Sequence, residues 1–347
     1  MKIALDAMGG DYAPANIVEG AVLAAKEYGV EIILVGEEGA VSAELAKYKT
    51  EGVSISIVHA SQVVDMHDSP SIVIRKKRDS SIWIATKLVK DKEAIAVISA
   101  GNTGAAMAAA FFVLGTIKGV ERPAIAALLP TISGTTIMID VGANVDCKAE
   151  HLFQFAIMGD IYAKYIYKKQ NPKVGLLSIG AEATKGNEVT KEAFQYLKGS
   201  QLNFIGNVEG RDVYQGNADV IVCDGFIGNV ALKISEGLAD AIGKMLKKEI
   251  ANTRFGRLGY MFLKPAFVNF RKRVDYSEYG GAPLLGVDGV SIISHGRSSA
   301  KAIKNAIKVA KEFHESRIIE HIQSDIAKSM NAYKEKEKKS GQKGAVK

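Results

Sequence analysis

The chain has 347 residues, 47% apolar and 24% charged, which fits a globular protein with an extensive core and excludes a fibrous or mostly disordered chain. Its formal net charge is +7, but the basic residues are unevenly spread, so their location matters more than the total. The two cysteines, Cys147 and Cys223, are too few and too far apart for a disulfide framework or a CxxC site, and they fit buried thiols in a reducing cytoplasm.

The first element is a strand at Lys2–Leu5, stopped by Asp6. It breaks too early for a signal peptide, and no later apolar run approaches the roughly 18–20 residues a membrane helix needs. The loop "DAMGGDYAP" follows. Then Asn16–Tyr28 carries a helical stripe of Ile17, Val18, Ala21, Ala24 and Ala25. "VEIILVG" is the next strand. The same strand–loop–helix scheme returns in "AIAVISAGNTGAAMAAAFFVLG" and in "TTIMIDVGANVDCKAEHLFQFAIMGDIYAKYIY". It returns again in "KVGLLSIGAEATKGNEVTKEAFQYL" and in "VIVCDGFIGNVALKISEG". Continuous apolar strands alternating with helices predict an α/β/α arrangement around a mainly parallel sheet, covered on both faces. Ligands of such sheets bind beyond the carboxyl ends of the strands, so the five loops are expected along one shared rim.

Two stretches depart from the scheme. From about 235 to 274 an amphipathic helical segment is predicted to protrude, with Ile234, Leu238, Ile242, Met245, Leu246 and Ile250 on one stripe. Within it, Lys and Arg alternate with aromatic and aliphatic residues. Three readings apply: a packed helical hairpin, a dock for an acidic partner, or a contact with an anionic membrane. The residues for either contact are Arg254, Phe255, Arg257, Leu258, Phe262, Lys264, Arg271, Lys272 and Arg273. "RKKR" at 75–78 is a second basic patch, either solvated helix surface or a partner contact. The second departure is 331–347, Lys-rich without apolar pattern and expected to be disordered, beyond a single α/β enzyme domain over 1–330.

The familiar signatures are missing. No GxGxxG follows a strand, and there is no GxxxxGK[ST], HExxH or GxSxG. No cofactor and no metal are therefore expected. No recognisable nucleic-acid module accompanies the basic residues, so no nucleic acid is expected either. What remains is loops dense in Gly, Asn, Ser and Thr. Their backbone N–H groups, amides and one lysine suit a small oxyanion, although Asp, Asn, Ser and Thr are also common helix caps. Candidates for binding phosphate or substrate are Asp6, Gly9 and Gly10, then Asn102, Thr103 and Gly104, then Asn144. Gly186, Asn187, Gly225 and Gly228 follow, with Gly280 and Gly281 from "YGGAPLLG". His295, at the end of "VSIISHG", is either a general base or a structural histidine.

Six segments together are recognisable: "LDAMGGDYAP", "SAGNTGA", "DVGANVDC", "DGFIGNVALK", "YGGAPLLG" and "HGRSSAKAIKNAI". In this order they resemble the phosphate acyltransferase family usually called PlsX, from residue 1 to about 315. The resemblance implies a fold similar to phosphotransacetylase and to the isocitrate and isopropylmalate dehydrogenases. It also implies a homodimer at the inner face of the cell membrane. The implied reaction forms acyl phosphate from long-chain acyl carrier protein and inorganic phosphate, and hands it to a membrane glycerol-3-phosphate acyltransferase. Expected roles follow. Asn102, Thr103 and Asn229 grip phosphate or the oxyanion, Lys185 neutralises charge, and His295 or Asp224 handles the proton. The competing readings are a short-chain phosphotransacetylase using coenzyme A, a decarboxylating dehydrogenase, and a non-catalytic scaffold for lipid enzymes.

Overall fold

The computed structural model describes residues 1–253, 256–274 and 279–329. The first half runs β1 (Lys2–Asp6), α1 (Ala15–Tyr28), β2 (Glu31–Gly36), α2 (Glu38–Leu45) and β3 (Ile55–His59). α3 (Pro70–Lys76), α4 (Ser81–Lys90), β4 (Ala96–Ser99) and α5 (Thr103–Ala109) complete it. An antiparallel hairpin, β5 (Ala124–Thr131) and β6 (Gly134–Ile139), leads into the second half. There α6 (Ala149–Tyr165), β7 (Val174–Leu177), α7 (Glu188–Lys198), β8 (Phe204–Val208) and β9 (Val220–Val222) follow. Two long helices come next, α8 (Gly225–Asn252) and α9 (Gly256–Val274). The chain then returns to the first half with β10 (Ala282–Leu285), β11 (Val290–Ile293) and α10 (Ala300–Glu315).

Among the described residues, eleven strands form one sheet in the order β3-β2-β1-β4-β11-β10-β5-β6-β9-β7-β8. Its inner strands are buried runs, as the sequence predicts for a sheet sandwiched between helices, while the edge strands β3 and β8 are partly exposed. α1 and α10 lie together on one face. Gly20 makes this possible, since a Cβ there would stand 2.6 Å from the Ile303 Cβ.

The directions of the strands overturn one expectation. β3, β2, β1, β4 and β11 are mutually parallel. So are β6, β9, β7 and β8. Between the two sets, three successive antiparallel pairings (β11–β10, β10–β5 and β5–β6) reverse the sense. The two parallel sets therefore point opposite ways. The loops after β1, β4 and β11 lie on one rim, here the first rim, and those after β6, β7 and β9 lie on the opposite, second rim. The five loops do not share a rim.

One helix joins the rims. α8 starts on the second rim, where Gly228 comes so close to the Asp140 carbonyl that any Cβ would overlap it. It then crosses the sheet. The Ser235 hydroxyl meets the Tyr214 hydroxyl, and the Tyr214 carbonyl accepts from Ile132 N (2.9 Å) in the turn between β5 and β6, on the first-rim side. Gly225 to Glu236 covers about 16 Å along the helix, close to the roughly 20 Å of a six-residue strand. Farther along, α8 and α9 pair as two helices with apolar side chains exposed. Ile234, Leu238 and Met245 stand out on α8, and Met261 and Phe262 on α9. Arg254 and Phe255 fall outside the described residues, as does the tail 331–347. Arg257, Leu258, Arg271, Lys272 and Arg273 belong to α9 by their backbone.

Candidate active site

On the first rim, Asp6 ends β1 and is 4% exposed. It accepts a hydrogen bond from the Ser99 hydroxyl (2.6 Å), at the end of the adjacent β4, and a long one from Met8 N (3.3 Å). Burial pushes its carboxyl pKa up, opposed by the Ser81 and Ser99 hydroxyls. Gly9 is required beside it, because a Cβ there would strike the carboxylate. Gly10 packs between the carbonyls of Ala100 and Gly296, tying the loop after β1 to the loops after β4 and β11. Gly280 and Gly281 sit against Asn305 of α10 and the end of β11, positions that close packing explains.

Asn102 is not a free ligand. Its Oδ1 caps α5 by accepting from Ala105 N (3.0 Å). Its Nδ2 donates to the carbonyls of Met66 and Asp68 (2.9 Å each) and, more weakly, of Asp65 (3.4 Å). Gly104 lies against Pro70 of the same covering segment. Thr103 beside them is exposed, and its hydroxyl makes no hydrogen bond among the described residues.

His295 stands half-buried at the end of β11. Burial lowers its pKa first, with the cations of Lys233 and Arg297 adding to this and the carboxylates of Glu236 and Asp11 opposing it. The ring is therefore neutral at neutral pH. Lys233 and Glu236, an ion pair at 2.9 Å, lie in the third and fourth turns of α8, so the helix that starts on the second rim brings charges to a histidine on the first. Sequence reading missed these two residues, although Lys233 ends the "DGFIGNVALK" segment, four residues from Asn229 and on the same helix face.

On the second rim, Asp140 follows β6 and is fully buried. Its Oδ1 accepts from Ile125 N (3.0 Å), Gly142 N (3.1 Å) and Ala143 N (2.9 Å). Its Oδ2 accepts from Asn144 N (2.7 Å) and Asn144 Nδ2 (2.9 Å). Burial pushes its pKa up and these donors oppose the rise. Asn144 is committed to this hub and to the Pro123 carbonyl (2.7 Å), while its own carbonyl accepts from Gly225 N (2.7 Å). Asp224 caps α8 by accepting from Ile227 N (2.8 Å), and Asn187 caps α7 by accepting from Thr190 N (2.9 Å). Gly186 leaves room for the Thr190 hydroxyl. Asn144 and Asn187 are thus structural here, for the reason asparagine is favoured at caps and turns.

Two predicted residues of this rim stay uncommitted. Lys185 is exposed and makes no ion pair among the described residues. Asn229 lies over Gly142, its amide without a hydrogen bond among the described residues. They follow β7 and β9, which are neighbours in the sheet. A cation and an amide are thus presented from adjacent loops beside the N-terminus of α8, where N–H groups favour negative charge. Among the described residues, no group of three or more His, Cys, Asp or Glu is arranged to hold a metal ion. Cys147 is no nucleophile, since burial and the Asp140 charge push its thiol up to about 12, and burial raises that of Cys223 as well.

The family model described as "Fatty acid synthesis protein" matches residues 1–321. The chain belongs to that family. A protein of Geotalea uraniireducens named phosphate acyltransferase is 58% identical over 313 residues, 90% of each chain. One of Pelotomaculum thermopropionicum with the same name is 56% identical over 326 residues, 94% of this chain and 95% of its own. Among solved structures, EutD phosphotransacetylase from Staphylococcus aureus aligns with a TM-score of 0.58 at 17% identity, covering 90% of this chain and 94% of that one. A phosphotransacetylase from Streptococcus pyogenes gives 0.57 at 18% identity, with 93% of each covered. These structures show the fold, the α/β/α arrangement expected from the sequence. The phosphate acyltransferase family fixes the chemical class as acyl transfer. No described helix is long and apolar enough to cross a membrane.

Proposed function

We propose that this phosphate acyltransferase uses long-chain acyl carrier protein and inorganic phosphate, giving acyl phosphate and free carrier protein. The reading is carried by the uncommitted pair Lys185 and Asn229, on loops of neighbouring strands beside a helix N-terminus, in a chain of this family. A phosphate oxygen attacks the thioester carbon, the C–S bond breaks with its electron pair going to sulfur, and the thiolate is then protonated. Phosphate is already partly dianionic at neutral pH, so little base catalysis is needed. Lys185 offsets the gathering negative charge, and Asn229 donates to phosphate or to the oxyanion. His295, neutral at neutral pH, is better suited to move the proton than Asp224, whose carboxylate is engaged as a cap.

The test is incubation of the purified chain with palmitoyl carrier protein and phosphate, trapping the product as the hydroxamate with hydroxylamine. Acyl phosphate forms, and Lys185→Ala or Asn229→Ala lowers its rate about 10²–10³-fold, the usual cost of one oxyanion donor. No trapped product, or product only from short-chain acyl-coenzyme A, would refute the reading in favour of the phosphotransacetylase alternative.

The acyl phosphate then passes to a membrane glycerol-3-phosphate acyltransferase, and the enzyme works as a homodimer resting on anionic lipid. Exposed Met261 and Phe262 beside Lys264 support the membrane contact. Met261→Glu with Phe262→Glu releases the protein from vesicles containing phosphatidylglycerol; retention of binding refutes the contact. Sedimentation at the mass of one chain would refute the dimer.

A further inference from the structure

Between Asn229 and His295, α8 carries a charged pair that the site described above does not use. Ala231 and Leu232 pack against the core on one face of the sheet. The Ser235 hydroxyl donates to the Ala231 carbonyl (2.6 Å) and meets the Tyr214 hydroxyl, so this part of the helix is fixed on the body. Asn229 and Lys233 stand one turn apart on one face of α8, about 6 Å along its axis. The Lys233 side chain is 53% exposed, and its Nζ donates to Glu236 Oε2 (2.9 Å). An exposed pair three residues apart is weak and exchanges readily for another partner. Both charges act on His295, as do Arg297 and Asp11 from the first-rim loops. Arg297 N donates to His295 Nδ1 (3.2 Å), and Arg297 Nε stands 3.7 Å from Asp11 Oδ2.

The second rim is short of positive charge. Asp140, Asp146 and Asp224 all act on Cys147, so three carboxylates surround the loop after β6 and the start of α8. Glu182 shares a loop with Lys185, and both side chains lie over Gly180. A phosphate dianion beside Asn229 would meet one lysine among these acids and keep a charge uncompensated. The next cation on that face of α8 is Lys233. Helical side chains lean toward the N-terminus, and the flexible four-carbon stem lets the ammonium swing from Glu236 back toward Asn229.

We propose that Lys233 is a second cationic ligand of phosphate, held by Glu236 and turned to the anion when phosphate binds beside Asn229. This rests on the acyl-transfer reading above. Lys185 and Lys233 then match the two charges of the dianion from either side of the amide, and the anion lies on the side of Asn229 that leads to His295.

Binding of inorganic phosphate to the full chain, followed by phosphorus NMR, needs no turnover. Lys233→Met keeps the stem and removes the charge. It should weaken phosphate binding about 10–100-fold, the loss expected for one charge-assisted hydrogen bond. In turnover, the KM for phosphate should rise with the KM for palmitoyl carrier protein unchanged. Lys233→Arg keeps the charge and should keep the binding. Unchanged phosphate binding in Lys233→Met, an equal loss in Lys233→Arg, or a carrier-protein KM that rises by the same factor overturns the proposal. A proton NMR titration of His295 tests the placement separately. Lys233→Met should raise the pKa of the ring and Glu236→Gln should lower it, since one removes a cation and the other an anion. A ring that titrates as in the wild type in both variants overturns the juxtaposition. Acyl phosphate formed by the wild type, with normal phosphate binding by Lys233→Met, refutes the ligand role and leaves the reaction standing. Phosphate bound through Lys233 by a wild type that forms no acyl phosphate refutes the reaction and leaves the ligand role standing.

Discussion

The two rims solve the same problem in opposite ways. Each has a buried aspartate at a strand end beneath glycine-rich loops. On the second rim, Asp140 is surrounded by five N–H donors within 3.1 Å, drawn from β5, its own loop and Asn144. On the first rim, Asp6 accepts from the Ser99 hydroxyl at 2.6 Å and Met8 N at 3.3 Å, with the Ser81 hydroxyl and Gly9 N also beside it. Burial raises the pKa of both carboxyls, and Asp140 has more short backbone donors opposing the rise. The second rim is a pre-built, rigid platform that leaves Lys185 and Asn229 free. The first is covered by the segment between β3 and α4, whose Val73 is fully buried, over an acid held mainly by hydroxyls.

Replacing Asp140 tests the rigid side and has the largest expected effect. Asp140→Ala strands the N–H groups of Ile125, Gly142, Ala143 and Asn144. Each buried unsatisfied donor costs about 1–3 kcal/mol, so the loss is at least about 4 kcal/mol. That is a large share of a typical stability of about 5–15 kcal/mol. The loop is also the floor on which the first turn of α8 rests, so the damage reaches Asn229. Urea unfolding should show a midpoint far below that of the wild type, or little soluble protein. A loss under about 1 kcal/mol would mean that the five donors find water without cost, and the contrast between the rims would disappear.

Much of this architecture was legible in the sequence. Apolar runs ending in glycine-rich loops placed most strands and their helices correctly, because buried parallel strands have no alternation to hide. The reversal of the second half was not legible. It depends on β5, β6 and β10 pairing antiparallel, and pairing sense between strands so far apart in the chain leaves no local pattern. The turn "TISGTT" was the available clue, since a short glycine-containing turn joins antiparallel strands. The site was half legible for a different reason. Asn102, Asn144, Asn187, Asn229 and Lys185 all occupy loops of the right composition, but capping, bracing a carboxylate and binding an anion use the same side chains. Only the position of neighbouring backbone separates the three that are committed from the two that are free. Lys233 and Glu236 were missed because their importance comes from the path of α8 across the sheet, which periodicity does not reveal.

Replacing Asp6 tests the first rim, with a smaller effect and a definite sign. Its folded pKa is raised above the ordinary aspartate value, chiefly by burial. The fold therefore prefers the protonated acid. Its contribution to stability is present below the unfolded pKa and is lost as pH rises through the folded one. An amide in place of this carboxyl would mimic the neutral acid at every pH and still accept from the Ser99 hydroxyl. Asp6→Asn should therefore match the wild type, or fall slightly below it, at acid pH. As pH rises past the usual aspartate range it should gain on the wild type by on the order of 1 kcal/mol. Urea midpoints of the two proteins from acid to neutral pH measure this difference. If the variant instead loses ground as pH rises, the Asp6 carboxylate is held by its donors against the cost of burial, and the contrast between the rims disappears.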